Sequence, residues 1–183
     1  MINTSVNIND RPSAFRYPRG NGVGITLPGI DETLEIGKGK VITEGKQAAI
    51  LSFGGRLQEC LKAFEVLSSK GIKVTIVDAR FAKPLDEKLI MEIAANHEVV
   101  VSIEEGSVGG FGSHVMQLLS NRGVFDKGLK FRAMILPDQF IDQDDPKKMY
   151  EKAGLDSDSI VGTIENALNS NVVIAQNKNK NSN

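Results

Sequence analysis

The residues of this sequence best suited to bind an anion are two arginines that share a proline turn. Arg16 and Arg19 belong to the segment RYPRGNG, residues 16–22. A guanidinium group presents a rigid fork of N–H donors that fits phosphate oxygens, and the glycines leave room for a ligand to approach. The pattern indicates an anion site at Arg16 and Arg19, with ordinary surface arginines as an equally weighted alternative.

A glycine-rich turn between a predicted strand and a predicted helix is the second candidate, at a place where dinucleotide-binding folds hold pyrophosphate. Its spacing is not G-x-G-x-x-G, and Glu104 and Glu105 stand at its mouth, where they would repel phosphate. Adjacent residues of an extended segment face opposite ways, so this pair is not expected to act as a general acid and base. We interpret the turn as structural, permitting tight turning and close helix–strand or subunit contact; its glycines are Gly106, Gly109, Gly110 and Gly112.

The other reactive residue types are isolated from one another. His97 and His114 have no third ligand spaced for a metal ion, so both are predicted to be surface or helix-end residues. Ser52 lies in SFGG, which is not the G-x-S-x-G of a nucleophile elbow. Cys60, the single cysteine, falls on the apolar stripe of a predicted helix and is predicted to be a core thiol. No catalytic residue is predicted.

These residues lie around one strand–helix–strand unit. Residues 48–53 form a short apolar run ended by Gly54-Gly55, residues 56–70 carry apolar side chains at helical spacing, and residues 73–78 are rich in β-branched residues. Two strands joined by a helix are expected to be parallel with a right-handed crossover. Asp78 and Arg80 are expected to pair structurally at the end of the second strand.

Further elements of the same kinds follow along the chain. Asp86 is a predicted N-cap, and either Asp156 or Ser157 is predicted to cap the last helix. A short strand over residues 40–43 is predicted to form a hairpin with residues 48–53, adding an antiparallel edge. The predicted fold class is α/β: three layers, with a mostly parallel five-stranded sheet, one antiparallel edge strand and helices on both faces.

Composition excludes several classes of partner and location. The 183 residues include 22 basic and 23 acidic side chains, so no overall field favours nucleic acid or a membrane surface. No apolar run approaches about 20 residues, and the N-terminal residues lack the basic-then-apolar order of a signal peptide. One cysteine excludes an intrachain disulfide and fits a reducing compartment. We therefore expect a cytoplasmic protein that binds neither nucleic acid nor membrane.

Several segments, in order, resemble the C-terminal third of the 1-deoxy-D-xylulose-5-phosphate synthase family, which is transketolase-like and depends on thiamine diphosphate. The resemblance runs from about Asp10 to Leu168 through PSAFRYPRGNGVG, LEIGKGKV, ILSFGG, VDARFAKPLD, VSIEEGSVGGFGSHV and LPDQFID. It implies the transketolase C-terminal fold. It also implies an enzyme that condenses pyruvate with glyceraldehyde 3-phosphate, releasing carbon dioxide, for isoprenoid, thiamine and pyridoxal precursor synthesis.

The resemblance also implies a division of the chain and of the site. Residues 1–27 would be the tail end of a pyrimidine-binding domain, with residues 14–17 as a strand or a floppy leader, and residues 28–38 a linker. Residues 39–169 would form the C-terminal domain and residues 170–183 a disordered tail. Arg19 would contact the phosphate of the aldehyde substrate, with Arg16 in support.

Cofactor and partners are implied only for the full-length enzyme. In that family thiamine diphosphate and Mg²⁺ are held by upstream domains, so no cofactor or metal is expected to bind this chain alone, and the chain alone is expected to be inactive. A homodimer, or association with the upstream domains, is the expected assembly. The alternatives are the C-terminal domain of a 2-oxoacid dehydrogenase β subunit, which shares the E-E-G…G-G-x-G turn, and a free-standing interaction module.

Overall fold

The protein is built around one twisted sheet of five strands. In the computed structural model, residues 1–17, 22, 24, 26–29 and 31–170 are described. The strand order is β1-β3-β2-β4-β5, in which β1 is antiparallel to β3 and every other neighbouring pair is parallel. This confirms the predicted fold class. The strands are β1 (Lys40–Thr43), β2 (Ala48–Phe53), β3 (Val74–Asp78), β4 (Val99–Glu104) and β5 (Lys130–Met134).

Helices cover both faces of this sheet. One face is packed by α2 and α6, and the other by α3 and α4, so that the central strands are buried on both sides. That burial explains why β2 and β4 are almost continuously apolar rather than alternating. The helices are α1 (Ile2–Val6), α2 (Leu57–Ser69), α3 (Glu87–Asn96), α4 (Phe111–Asn121), α5 (Pro146–Lys152) and α6 (Ser157–Asn169), with a 3₁₀ turn at Phe125–Lys127. Among the described residues, no helix has the length and apolarity needed to cross a bilayer.

Cys60 lies in the core on the α2 face, as predicted. Its side chain is fully buried and belongs to the same apolar cluster as Ile50, Leu67 and Ile160. Burial raises the pKa of the Cys60 thiol to about 11, because the thiolate would have to form away from water. The thiol is therefore protonated at neutral pH and contributes to packing.

The predicted hairpin between β1 and β2 is wrong, although the antiparallel edge strand is confirmed. Both edges of β2 are occupied by parallel partners, β3 and β4, so β1 pairs with the free edge of β3 instead. Residues 44–47 carry the chain across the start of β3, where the Gly45 amide donates to Thr75 Oγ1 at 2.9 Å and the Gln47 amide donates to the Lys73 carbonyl at 3.1 Å.

The predicted strand at residues 14–17 is also absent. Residues 12–17 form neither helix nor strand, and Phe15 and Tyr17 are exposed. A strand needs a neighbour to complete its hydrogen bonds, and no described segment pairs with this one. The N-terminal residues instead form the short helix α1, where Thr4 Oγ1 accepts from the Leu34 amide at 2.9 Å.

The predicted N-cap Asp86 is confirmed, and of the two candidates for α6 the structure shows Asp156 as the cap. Asp86 accepts from the Leu89 amide at the start of α3, and Asp156 accepts from the Ser159 amide at the start of α6. Asp86 has a second function, because its other oxygen accepts from the Gly39 amide at 3.2 Å. One carboxylate thus begins a helix and fixes the segment that leads into β1. The tail predicted to be disordered, residues 170–183, lies outside the described residues except for Ser170.

Candidate functional site

The carboxyl ends of β2, β3 and β4 meet at one edge of the sheet. From β2 the chain moves to β3 on one side through α2, and it later reaches β4 on the other side of β2 through α3. Such a reversal of strand order opens a crevice between neighbouring loops, and open α/β sheets bind ligands there. In this protein that switch point lies between residues 54–56, which follow β2, and residues 105–110, which follow β4, and the Arg56–Glu105 pair bridges the two loops. We call this position the crevice below.

The N-terminus of α4 faces this crevice and is already occupied by a carboxylate of the chain itself. Glu104 is 4% exposed. Its two oxygens accept from the Phe111 amide at 3.0 Å and from the Gly112 amide at 2.8 Å. These are two of the donors that the first turn of a helix leaves without a partner inside the helix. A bound phosphate would have to displace Glu104, so the structural interpretation of the glycine-rich turn is confirmed.

The glycines of the turn make room for this carboxylate. A Cβ atom at Gly110 would collide with Glu104 Oε2, and one at Gly106 would come within 2.7 Å of the same oxygen. The turn passes so closely over the Glu104 side chain that any larger residue at Gly106 or Gly110 would displace the Glu104 carboxylate from the first turn of α4. The glycines therefore serve an internal carboxylate rather than an external ligand.

The second carboxylate of the pair, Glu105, faces the other way and joins three elements. Its Oε1 accepts from Arg56 Nε at 2.7 Å, and both side chains are largely buried. The Arg56 guanidinium lies over the ring of Tyr150, 3.5 Å from its centroid. The loop after β4, the start of α2 and helix α5 are thus held together at the crevice.

The pKa of the Tyr150 hydroxyl is sensitive to this cluster. Burial raises the pKa of the Tyr150 hydroxyl above its ordinary value, and the nearby Glu105 carboxylate raises it further. In a Tyr17→Phe background, which leaves Tyr150 as the one tyrosine, we expect the ultraviolet titration midpoint to fall when Glu105 is replaced by glutamine. A tyrosine pKa that is raised in the folded state contributes stability that is fully present below the ordinary tyrosine pKa of about 10. That stability is lost as the pH rises through the pKa of the folded state.

Thermal unfolding of the same two variants provides the control. The background variant should lose stability between the ordinary and the raised tyrosine pKa. In the Glu105→Gln variant this loss should be smaller and should end at a lower pH. An unchanged midpoint after Glu105→Gln would show that the carboxylate does not act on the ring.

Asp78 and Arg80 end β3 at the same edge, and their expected pairing is confirmed. Arg80 Nε donates to Asp78 Oδ2 at 3.1 Å, and about a quarter of each side chain is exposed. Arg80 has a φ of 59°, a left-handed conformation that residues other than glycine rarely adopt. Such residues concentrate where the surrounding structure needs a particular side-chain direction. Here the unusual backbone turns a guanidinium back onto its own strand.

The two residues predicted to bind anions are not brought together with this edge. Arg16 is exposed and makes no ion pair or side-chain hydrogen bond with the described residues. Arg19 lies outside them. The anion site at these two arginines therefore stays a prediction.

The histidines behave as helix residues. His97 follows α3, where its Nδ1 lies 2.8 Å from the Ile93 carbonyl oxygen and its Nε2 lies 2.8 Å from Thr75 Oγ1. His114 lies within α4. In the part of the chain that the structure describes, no three His, Cys, Asp or Glu side chains are grouped as a metal ion would require. Thiamine diphosphate does not fit at the N-terminus of α4, because its diphosphate would have to displace Glu104 from the Phe111 and Gly112 amides.

The cluster of Arg56, Glu105 and Tyr150 was missed at the level of sequence. Its members are separated by tens of residues in sequence. Each residue type is also common on protein surfaces, so none of the three indicated a cluster. The one available signal was the position of Arg56, directly after a glycine pair that ends a buried strand.

Comparison with known proteins agrees with this architecture. The family described as "Transketolase, C-terminal domain" matches residues 37–160. A solved structure, described as "Split gene transketolase, inactive beta4 tetramer", is similar with a TM-score of 0.69 and 30% sequence identity. The similarity covers 79% of this chain and 46% of that one, so the present chain spans about half of its relative's length. With more than half of its residues matched and the same fold, the chain belongs to the transketolase C-terminal domain family.

Proposed function

We propose that the chain is the C-terminal part of a 1-deoxy-D-xylulose-5-phosphate synthase, which condenses pyruvate with glyceraldehyde 3-phosphate and releases carbon dioxide. The observation that carries the proposal is the position of the RYPRG segment, residues 16–20, just upstream of a transketolase C-terminal domain. The DARFAKPLD segment, residues 78–86, supports it. That segment supplies the Asp78–Arg80 pair and the Asp86 cap that fixes the chain entering the sheet.

In this proposal the chain contributes structure and substrate binding. Residues 1–27 are the tail end of the pyrimidine-binding domain, residues 28–38 are a linker, and residues 39–169 form the C-terminal domain. Arg19 binds the phosphate of the aldehyde substrate and Arg16 supports it. Thiamine diphosphate, held with Mg²⁺ by upstream domains, would supply the carbanion chemistry. The expected assembly is a homodimer, or an association of this chain with the two upstream domains. Its expected location is the cytoplasm.

The similar split transketolase supports treating this chain as one portion of a divided enzyme, since that protein is described as an inactive tetramer. By analogy we expect that the chain alone, given pyruvate, glyceraldehyde 3-phosphate, thiamine diphosphate and Mg²⁺, forms no product. Addition of a polypeptide carrying the other two domains of such a synthase should produce 1-deoxy-D-xylulose 5-phosphate.

The reconstituted enzyme then tests Arg19. Arg19→Ala should raise KM for glyceraldehyde 3-phosphate about 10- to 100-fold, because a charged hydrogen bond to the phosphate contributes roughly 1.5–3 kcal/mol. Arg19→Lys should recover part of this loss, and Arg11→Ala, at an exposed arginine outside the segment, serves as the matched control. Product from the chain alone would refute the proposal. Acyl transfer to a lipoyl group without the aldehyde would favour the 2-oxoacid dehydrogenase alternative.

A further inference from the structure

The loop that follows β5 presents an aromatic side chain entirely to solvent. Phe140 is fully exposed, with a relative solvent-accessible area of 105%. Asp138 and Asp142, two residues away on either side, are exposed as well. Neither aspartate forms an ion pair with another described residue. A large aromatic ring has much apolar area to bury, so the full exposure of Phe140 leaves it available to a partner. This loop, residues 138–142, is called the Phe140 loop below.

A groove of complementary character lies at the opposite end of the same strand. It has a volume of about 450 Å³ and forms where the outer edge of β5 meets α4 and the 3₁₀ turn. Its lining is mixed: apolar side chains come from Met116, Phe125, Leu129 and Phe131, and polar groups come from Lys130, Arg132 and Ser170. Met116 is half exposed. We call this the β5 groove.

The charge at the β5 groove is opposite to that of the Phe140 loop. Two cations, Lys130 and Arg132, line the groove. Lys130 is paired with Glu98 at 2.7 Å, whereas Arg132 is exposed and has no carboxylate partner among the described residues. A groove that combines aromatic and aliphatic side chains with an unneutralised guanidinium fits an aromatic side chain flanked by carboxylates.

The two features do not meet within one molecule. The β5 groove lies beside the amino-terminal half of β5, and the Phe140 loop leaves the carboxyl end. The full exposure of Phe140 agrees with this separation. Direct pairing of two β5 edges is also disfavoured, because it would bring Lys130 and Arg132 of one copy against the same cations of another.

We propose that the Phe140 loop of one copy of this chain docks into the β5 groove of a second copy. Phe140 enters among Met116, Phe125 and Phe131, and Asp138 or Asp142 pairs with Arg132. In a two-fold dimer the contact is made twice, once in each direction. This inference does not depend on the proposed reaction, because it concerns only surfaces of the described residues.

Two variants test it, each removing one side of the contact. Phe140→Asp alters the loop and Met116→Asp alters the groove, and both positions are exposed, so folding is checked by circular dichroism and thermal unfolding. By sedimentation velocity, each variant should weaken self-association at least about tenfold, since buried aromatic anchors dominate interfaces. Val66→Asp, at a comparably exposed apolar position on α2, is the matched control and should change nothing.

Mixing the two variants distinguishes this contact from others. Phe140→Asp retains a groove and Met116→Asp retains a loop, so a mixed dimer keeps one of the two contacts. An equimolar mixture should therefore associate more tightly than either variant alone. Arg132→Asp should weaken association, and Asp138→Arg with Asp142→Arg in the same chain should restore it. A wild-type chain that remains monomeric, association insensitive to Phe140→Asp, or a mixture that remains monomeric would each overturn the proposal.

Discussion

Glu104→Ala is expected to lower the melting temperature of the chain by roughly 6–12 °C. The substitution removes both oxygens that accept from the first turn of α4 and leaves the Phe111 and Gly112 amides buried without partners. Hydrogen bonds to a charged group contribute roughly 1.5–3 kcal/mol each and are not additive, so about 3 kcal/mol is the expected loss. For a chain of this length each kcal/mol corresponds to about 2–4 °C.

Two further variants at and near this position make the test specific. Glu104→Gln keeps the shape and one acceptor oxygen, so its effect should be about half as large. Glu98→Ala removes a carboxylate that pairs with Lys130 at the surface end of the sheet and should shift the midpoint by no more than about 2 °C. If calorimetry showed equal effects of Glu104→Ala and Glu98→Ala, the buried cap would contribute no more stability than a surface ion pair.

Gly45→Ala and Gly162→Ala are expected to change stability in opposite directions. At Gly45 a Cβ atom would collide with the Lys73–Val74 backbone, coming within 2.6 Å of the Lys73 carbonyl oxygen. Backbone cannot move aside as a side chain can, so residues 44–47 would have to lift from the start of β3. Overpacking typically costs about 1–3 kcal/mol and sometimes more, and this position should lie at the upper end.

Gly162 is the matched control because it lies inside α6, where a methyl group added at its Cα would have nothing within 4 Å beyond its own helix backbone. Alanine there should stabilise the chain by about 0.5–1 kcal/mol, since glycine is a poor helix former. Urea unfolding followed by circular dichroism measures both changes. A Gly45→Ala variant as stable as the wild type would show that the crossing segment is not held against β3.

The fold could be predicted from sequence wherever local chemistry decides it. Apolar runs ended by glycines indicated the buried strands, and Asp86 and Asp156 marked helix starts because a carboxylate there satisfies amides only three residues away. The interpretation of the glycine-rich turn rested on the repulsion between its two carboxylates and a phosphate. The cap that Glu104 forms on α4 was not predicted, although the amides lie only seven and eight residues along the chain. These relations need no knowledge of the rest of the chain.

Strand pairing and the crevice cluster could not be predicted in this way. A short link between β1 and β2 favours a hairpin locally, but β2 forms parallel ladders on both edges with β3 and β4, which arrive later in the chain. The same holds for the contact of Arg56 with Glu105 and Tyr150, which exists only after β4 and α5 are in place. The predicted anion site depends on Arg16 and Arg19, and no contact of the described residues bears on it.

The reversed direction of β1 determines where any attached polypeptide would emerge. Lys40 begins β1 opposite Asp78, at the carboxyl end of β3, whereas α6 ends near Lys130, at the amino end of β5. A polypeptide joined directly ahead of β1 would therefore begin at the sheet edge that carries the crevice, where even a weak contact would benefit from high effective concentration. A polypeptide joined directly after α6 would begin at the opposite edge.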